Sequence, residues 1–169
     1  SDFLELLLRC CWRTLGTLLA QPCKTLLHKS GAAPAKVATA EDPLLQCFED
    51  LRAFGIKGAV VLDRSEAAQP LLEQAMGSVT TADVKYLFLR PPEVAAHWLS
   101  STVREFLSVE MEELASSRVA MGNEIYPFLH VDTEQSIEAL MSKLIISRAG
   151  CVALCCPSSN SLHGMWCAR

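Results

Sequence analysis

Residues 37–63 read VATAEDPLLQCFEDLRAFGIKGAVVLD, and residues 130–156 read HVDTEQSIEALMSKLIISRAGCVALCC. The second stretch lies 93 positions after the first, and both contain a helically spaced set of apolar residues followed by a short apolar run. Self-similarity at a fixed spacing indicates a duplicated structural unit. We therefore expect the chain to contain two copies of one small fold.

Each copy predicts an amphipathic helix that is followed by a buried strand. Apolar residues recur at i, i+3, i+4 and i+7, which is the spacing of a helix with one buried face. They are Leu44, Cys47, Phe48 and Leu51 in the first copy, and Ile137, Leu140, Met141 and Leu144 in the second. The apolar runs at residues 59–62 and 152–155 suit strands that are buried on both faces. A short extended segment, near Val37 and near residues 129–131, precedes each helix.

The flanks of the two copies also match. Residues 77–80 and 164–167 predict a second strand that begins with glycine in each copy. Residues 81–89 predict a further helix, which ends before Pro91 and Pro92. On the amino-terminal side, we match the apolar residues of segment 14–19 with those of segment 102–107. The second copy stops at Arg169, so we expect it to lack its final helix.

This pattern predicts a mixed α/β (α+β) fold in three segments. Residues 1–13 are expected to form an amphipathic helix, residues 14–93 the first repeat and residues 94–169 the second. Glu5, Arg9 and Arg13 interrupt the apolar segment 3–20, so no uninterrupted run reaches the roughly 18 residues that a membrane span needs. We expect no membrane span.

The composition narrows the classes of partner. Half of the 169 residues are hydrophobic, a fifth are charged, and the formal net charge is −4. Binding along a nucleic-acid backbone needs a basic surface. We therefore expect no nucleic-acid partner, although one small anion in a local pocket stays compatible with this charge.

The eight cysteines show no CxxC pair and no Cys/His spacing typical of zinc. Cys47, Cys151 and Cys155 fall in apolar patterns, where a thiol behaves as a small hydrophobic group. A secreted disulfide scaffold is unusual at this length. We expect reduced thiols, a cytoplasmic protein and no metal site.

Catalytic motifs are absent from the sequence. It contains no glycine-rich phosphate loop, no HExxH and no GxSxG. His163 stands near Ser161 and Cys167, which could suggest a nucleophile pair, but the apolar pattern of a turn and strand already explains these residues. The glutamates of segment 105–113 read as a solvated helix face. We expect that the chain is not an enzyme.

Residues 54–63 and 77–84, together with residues 130–132 and 136–140 in the second copy, resemble the tandem cystathionine-β-synthase (CBS) module. Among such modules they most resemble that of the γ regulatory subunit of AMP-activated protein kinase. The resemblance covers roughly residues 14–169. It implies two CBS repeats that pair pseudo-symmetrically into a Bateman module with clefts for AMP, ADP, ATP or S-adenosylmethionine, and no required cofactor.

The resemblance also implies a ligand site in the first copy. Asp83 would accept the ribose hydroxyls and Thr80 would donate to a ribose or phosphate oxygen. Ile56, Lys57 and Gly58 would contact the adenine and a phosphate, and Val37 would contact the base. Each of these residues also has an alternative role without a ligand. Thr80 and Asp83 could simply start a helix, Lys57 could be a solvated surface lysine, and Val37 could pack in the core.

The second copy departs from this pattern. Cys167 stands where the family has threonine or serine, and a thiol is a weak hydrogen-bonding substitute. Ala149 and Gly150 precede the strand, and Arg148 and His130 are the nearby candidates for a phosphate contact. We expect this second site to be the weaker one.

Two functions stay open. The first is a regulatory module that senses an adenine nucleotide and controls a partner protein, such as a kinase. The second is a ligand-free CBS scaffold in a larger assembly or in self-association, because the apolar chain ends resemble a partner surface.

Overall fold

The computed structural model describes residues 12–29, 36–66, 69–109, 129–147 and 151–167. The chain separates into two compact units. We call residues 35–128 the middle unit, and residues 1–34 together with 129–169 the terminal unit. Residues 1–11 of the predicted amino-terminal helix lie outside the described residues, and a division at residues 14 and 94 remains a prediction.

The secondary structure follows the predicted duplication. In chain order the elements are α1 (Trp12–Leu19), α2 (Lys24–Lys29), β1 (Lys36–Thr39), α3 (Leu44–Ala53), β2 (Gly58–Leu62), β3 (Ala75–Thr80), α4 (Val84–Phe88), α5 (Pro92–Leu99), α6 (residues 103–109), β4 (His130–Asp132), α7 (Ile137–Ser147), β5 (Cys151–Cys156) and β6 (Ser161–Cys167). Short 3₁₀ turns, Arg64–Glu66 and Pro157–Ser159, follow β2 and β5.

Each unit contains a three-stranded mixed sheet. The strand orders are β1-β2-β3 and β4-β5-β6, with the first pair parallel and the second antiparallel in both sheets. Both antiparallel ladders shift register at the same place, between Val61 and Leu62 and between Leu154 and Cys155. These positions differ by 93, so the mixed α/β class and the repeat are confirmed.

The core of the middle unit lies between α3 and one face of its sheet. The α3 residues Leu44, Cys47 and Leu51 are buried, as the helical spacing predicted, and they cluster with alternate strand residues. Those strand residues are Ala38, Ala59, Val61 and Val79. The ring of Phe106 on α6 closes the cluster through edge-to-face contacts with Phe48 and Trp98, at centroid distances of 6.2 and 5.6 Å.

The terminal unit has an equivalent core. Its α7 stripe is buried at all four predicted positions, Ile137, Leu140, Met141 and Leu144. Val131, Val152 and Leu154 supply the strand side, and Leu19 and Cys23 join from α1 and the turn before α2. The central strand of each sheet is buried on both faces, as predicted for short apolar runs.

In each unit, a segment from outside the strand–helix–strand repeat closes the turn between the first strand and the helix. In the terminal unit, the backbone N–H groups of Cys23 and Lys24 donate to the carbonyls of Gln135 and Thr133, at 2.8 and 2.9 Å. Ile137, the first residue of α7, donates to the carbonyl of Gln21 at 2.9 Å.

The middle unit repeats these three bonds. Val103 and Arg104 donate to the carbonyls of Asp42 and Ala40, at 3.0 and 2.9 Å, and Leu44 donates to that of Ser101 at 3.0 Å. Residues 21–24 are therefore equivalent to residues 101–104. The match that we expected between segments 14–19 and 102–107 is wrong by eight residues, because a short apolar stripe fits several registers whereas backbone hydrogen bonds fit one.

The helix predicted at residues 81–89 begins later. Residues 81–83 form a turn, and α4 starts at Val84. The predicted break at Pro91 and Pro92 occurs, but Pro92 also begins α5. Proline is favoured in the first turn of a helix because its missing N–H needs no partner there.

The cysteines require one correction. Cys23, Cys47, Cys155 and Cys156 are free thiols, but Cys151 is disulfide-bonded, which contradicts the expectation of reduced thiols throughout. The ladder places Cys151 and Cys167 as Cα partners. Which cysteines lie opposite each other across a ladder depends on the strand register, and the spacing of cysteines in the sequence does not reveal that register.

No helix in the described ranges is long and apolar enough to cross a membrane.

Replacing Leu44 by alanine tests the middle core. Leu44 is fully buried, so Leu44→Ala should lower the free energy of unfolding by about 2–5 kcal/mol. Its neighbour Leu45 on the same helix is 45% exposed, so Leu45→Ala should change it by about 0.5 kcal/mol at most. Urea denaturation measures both values, and equal losses would contradict this assignment of the buried face.

Candidate functional site

The strand register brings most of the predicted ligand residues to one end of the middle sheet. Gly58, at the start of β2, is the Cα partner of Thr80, at the end of β3. The N–H of Thr81 donates to the carbonyl of Lys57 at 2.9 Å, which ties the two strand ends together. Lys57 is exposed, Gly58 is buried, and Thr80 and Asp83 are half-buried.

Val37 lies on the same face of the sheet as Gly58 and Thr80. Val37 is the partner of Val60, and Val60 is the partner of Ser78. Laterally paired residues share a face, and positions two apart along a strand do so as well. This face is opposite to the one that α3 covers, so Val37 is not part of the α3 core, and it is half-buried.

Ile56 is placed differently. Its side chain packs against the core cluster of the middle unit, and its N–H donates to the carbonyl of Leu51 at 3.0 Å. It follows Gly55, which has a positive φ of 62° at the end of α3. The structure therefore gives Ile56 a role in the turn between α3 and β2.

Asp83 anchors the strand-to-helix turn through Thr80. One carboxylate oxygen, Oδ2, accepts from the Thr80 backbone N–H at 2.6 Å and from its hydroxyl at 2.8 Å. Asp83 occupies the N-cap position of α4 but makes no side-chain bond to the N–H groups of that helix. These two bonds hold the carboxylate against the end of β3.

The same arrangement occurs at two other turns of the middle unit. Asp42 accepts from the backbone N–H and the hydroxyl of Thr39, at 2.7 and 2.5 Å. Glu105 accepts from the same two groups of Thr102, at 2.9 and 3.2 Å. A threonine followed three residues later by an acid is thus a recurrent way of closing turns in this chain, and the geometry alone does not mark a ligand.

A polar cavity of about 330 Å³ lies between β1 and α3. Lys36 in its wall donates to Asp50 Oδ2 at 2.8 Å and lies 4.2 Å from the centre of the Phe54 ring. Gln46 donates to the other oxygen of Asp50 at 3.0 Å. No local sequence pattern marks this cavity, because residues from β1, α3 and the 3₁₀ turn meet there only in three dimensions.

The weaker site can be followed only in part. Arg148, Ala149 and Gly150 lie outside the described residues. Cys167 ends β6 at the position equivalent to Thr80, and His130 begins β4 at the position equivalent to Val37. Partial burial of the His130 ring, followed by the nearby charge of Lys143, lowers the pKa of this imidazole.

Ser161 and His163 are neighbours in the structure, with Ser161 Oγ 3.0 Å from Nε2 of His163. The thiol that His163 approaches is that of Cys156.

Within the described ranges, no group of three or more His, Cys, Asp or Glu side chains could hold a metal ion.

Comparison with known proteins identifies the fold. No family model matches the chain, and no curated protein matches its sequence. Solved structures do match: a CBS-domain containing protein from Agrobacterium tumefaciens is 17% identical, with a TM-score of 0.56, over 88% of this chain and 89% of that chain.

Two further matches contain adenosine ligands. A CBS domain pair in complex with 5′-methylthioadenosine and S-adenosyl-L-methionine is 11% identical, with a TM-score of 0.57, over 88% of this chain and 90% of that one. CBSX2 in complex with AMP is 12% identical, with a TM-score of 0.52, over 87% of this chain and 90% of that one. The fold is therefore that of a CBS domain pair, as predicted. The finer resemblance to the kinase γ subunit remains an expectation.

The ion pair at the cavity gives a pH-dependent prediction. Hydrogen bonds from Lys36 and then Gln46 lower the pKa of Asp50. Since the folded-state pKa lies below the unfolded value of about 3.9, the pair stabilises the fold at neutral pH, and this contribution is lost as the pH falls through the folded pKa. Lys36→Met should raise the Asp50 pKa towards the ordinary value, and Gln46→Ala should raise it less.

Carboxyl NMR titration measures these pKa values. Asp63 is the internal control. Hydrogen bonds from Ser65 and then Arg104 lower its pKa, so substitution of Lys36 or Gln46 should leave the Asp63 pKa unchanged. An unchanged Asp50 pKa in Lys36→Met would show that the ion pair does not form in solution.

Proposed function

We propose, from the CBS-pair fold that this chain has, that it is a regulatory module which binds an adenosine ligand at the end of the middle sheet. Binding there would control a partner protein, such as a kinase, and the chain itself would catalyse no reaction. We place this module in the cytoplasm, where adenine nucleotides occur.

The observation that supports this proposal most strongly is the placement of Thr80 and Asp83 beside Gly58. The two bonds from Thr80 fix the direction of the Asp83 carboxylate. A carboxylate held in this way can accept the paired hydroxyls of a ribose. Gly58 has no side chain, so a flat base can approach the backbone of β2 closely.

Lys57 supplies the one positive charge at this strand end that we assign to the ligand. Its side chain is exposed, and its backbone is held by the bond from Thr81. A single exposed ammonium interacts with a phosphate weakly, because water screens the charge. We therefore propose that the adenosine part provides most of the affinity, and Val37 would contact the base.

The solved neighbours support the ligand class. AMP is bound by CBSX2, and 5′-methylthioadenosine with S-adenosylmethionine is bound by the CBS domain pair described above. These ligands share adenosine and differ in what the ribose carries. We propose the same class here, with AMP, ADP or ATP as regulatory ligands and no required cofactor.

A ligand-free scaffold is the second candidate function. Large apolar side chains are exposed in the middle unit at the junction of α4 and α5, where Phe88 is 84% and Leu89 76% exposed. Exposed apolar patches often contact other proteins. Under this alternative, the turn at Thr80 has the same purely structural role as the turn at Thr39.

The matched pair Asp83→Ala and Asp42→Ala separates these functions. Each substitution removes the acceptor of one threonine turn, so each should lower the free energy of unfolding by about 1 kcal/mol. Titration calorimetry with AMP, ATP and S-adenosylmethionine should show binding by the unsubstituted chain and by Asp42→Ala. Asp83→Ala should bind at least roughly tenfold more weakly, a loss of about 1.4 kcal/mol.

Two results would decide against sensing at this site. One is the absence of heat with every ligand at concentrations that detect millimolar binding, which would leave the scaffold function. The other is an equal loss of binding in both variants, which would show that the effect comes from the turns and not from a contact with the ligand.

Lys57→Gln tests the phosphate contact. It should weaken AMP binding roughly two- to fivefold at low salt, the size of an exposed ion pair, and leave adenosine binding unchanged. Arg64→Gln is the charge-matched control, because Arg64 is exposed at the opposite end of β2. Calorimetry at two salt concentrations checks both variants. Equal weakening of AMP and adenosine would contradict a phosphate contact by Lys57.

A further inference from the structure

The turn between β5 and β6 gathers one thiol, three hydroxyls and an imidazole. Cys156 ends β5, the 3₁₀ turn Pro157–Ser159 follows, and β6 begins at Ser161. Asn160 connects them with a positive φ of 47°, a conformation that asparagine tolerates better than most residues. This cluster belongs to the terminal unit and is separate from the site proposed above.

The side chains of this cluster are linked by short contacts. Cys156 Sγ lies 3.1 Å from the Ser158 hydroxyl. The hydroxyls of Ser159 and Ser161 are 2.6 Å apart, and that of Ser161 is 3.0 Å from His163 Nε2. Cys156 is partly exposed, and Ser158, Ser159 and His163 are exposed, so a soluble reagent can reach the sulfur.

The other free thiols of the described residues lie in different surroundings. Cys23, Cys47 and Cys155 are at most 5% exposed, and burial raises the pKa of each to about 11. Hydrogen bonds from Ser158, then Ser159, and more weakly from His163 lower the pKa of Cys156 to about 7. Among these four thiols, Cys156 alone combines access with donors that stabilise a thiolate.

The strand β5 also carries an oxidised cysteine. Cys151, the first residue of the strand, is disulfide-bonded, whereas Cys156, the last residue, is free. The two ends of this strand therefore carry cysteines in different oxidation states.

We propose that Cys156 is a site of reversible covalent modification by low-molecular-weight disulfides, such as oxidised glutathione. The serine and histidine side chains of the turn would position and stabilise the attacking sulfur. The adduct would project from an exposed turn, where it displaces no core side chain.

The reaction is a thiol–disulfide exchange and needs no further oxidant. The Cys156 thiol releases its proton to solvent, and the thiolate attacks one sulfur of the small disulfide. The S–S bond of the reagent breaks as the new bond to Cys156 forms. The departing thiolate takes up a proton, so one reduced small thiol is produced for each modified chain.

The expected selectivity follows from ionisation. At pH 7, a thiol with a pKa of about 7 is half thiolate, and one with a pKa of about 11 is thiolate in about one molecule in ten thousand. Thiolates of lower pKa are weaker nucleophiles, by about 0.4–0.5 log units per pKa unit. The net preference for Cys156 is roughly a hundredfold, before the burial of the other thiols is considered.

The test treats the full chain with oxidised glutathione at pH 6–9, blocks the remaining thiols, and follows each cysteine by peptide mapping. Fragmentation within the peptide separates Cys156 from the adjacent Cys155, and Cys10 and Cys11 are counted separately. Cys156 should be modified at least tenfold faster than Cys23, Cys47 or Cys155, with a rate midpoint near pH 7. A reducing agent should restore the thiol.

Ser158→Ala tests the role of the turn. Loss of the nearest donor should move the midpoint of the Cys156 rate to higher pH and slow the reaction at pH 7. At strongly alkaline pH, where the thiol is mostly ionised in both proteins, the variant should react at least as fast, because a thiolate of higher pKa is the better nucleophile. Circular dichroism should show that the variant is folded. Cys156 reacting no faster than the three buried thiols, or with the same pH profile in Ser158→Ala, would overturn the proposal.

Discussion

The fold of each unit depends on three backbone hydrogen bonds between the turn that starts the repeat helix and a segment distant in sequence, which is 101–104 in the middle unit and 21–24 in the terminal unit. The first N–H groups of a helix have no partner within it, and buried groups of this kind are costly when unpaired. The carbonyl of Ser101 accepts from Leu44, and that of Gln21 accepts from Ile137. Accordingly, Pro43 precedes α3 without a side-chain cap, whereas at α7 the Ser136 hydroxyl also accepts from the Ala139 N–H at 3.2 Å. Ion pairs add to the same connection, from Arg104 to Glu41 and from Lys24 to Glu134.

This constraint explains which parts of the fold the sequence could predict. The stripes on α3 and α7 were predictable, because burial on one face of a helix forces apolar residues into a 3.6-residue period. The equivalence of segments 21–24 and 101–104 was not predictable, because it rests on backbone groups that every residue carries. The expected match to segment 14–19 used apolar spacing alone. Leu15 and Leu19 do pack in the terminal core, so that segment has the right composition and the wrong register.

The candidate site shows a similar limit. Thr80 and Asp83 could be selected from the sequence because a threonine and an acid three residues later close a turn. Thr39 with Asp42, and Thr102 with Glu105, satisfy the same rule with the same hydrogen bonds. What distinguishes Thr80 is its neighbour across the ladder, Gly58, which places no side chain beside it. Thr39 instead pairs with Leu62, a larger side chain. Strand register, which no local motif encodes, makes this difference.

The equivalent positions of the terminal unit show how the two copies have diverged. Gly58 and Thr80 correspond to Cys151 and Cys167, which are also Cα partners at the end of their ladder. In the middle unit, a residue without a side chain lies beside a threonine. At the same two positions of the terminal unit, Cys151 carries a side chain that is in a disulfide, and cysteine is a weaker donor than threonine. The contacts that we propose for a nucleoside in the middle unit therefore have no equivalents at this sheet end of the terminal unit. If an adenosine ligand binds this chain, the residues of the middle unit are the ones that select it.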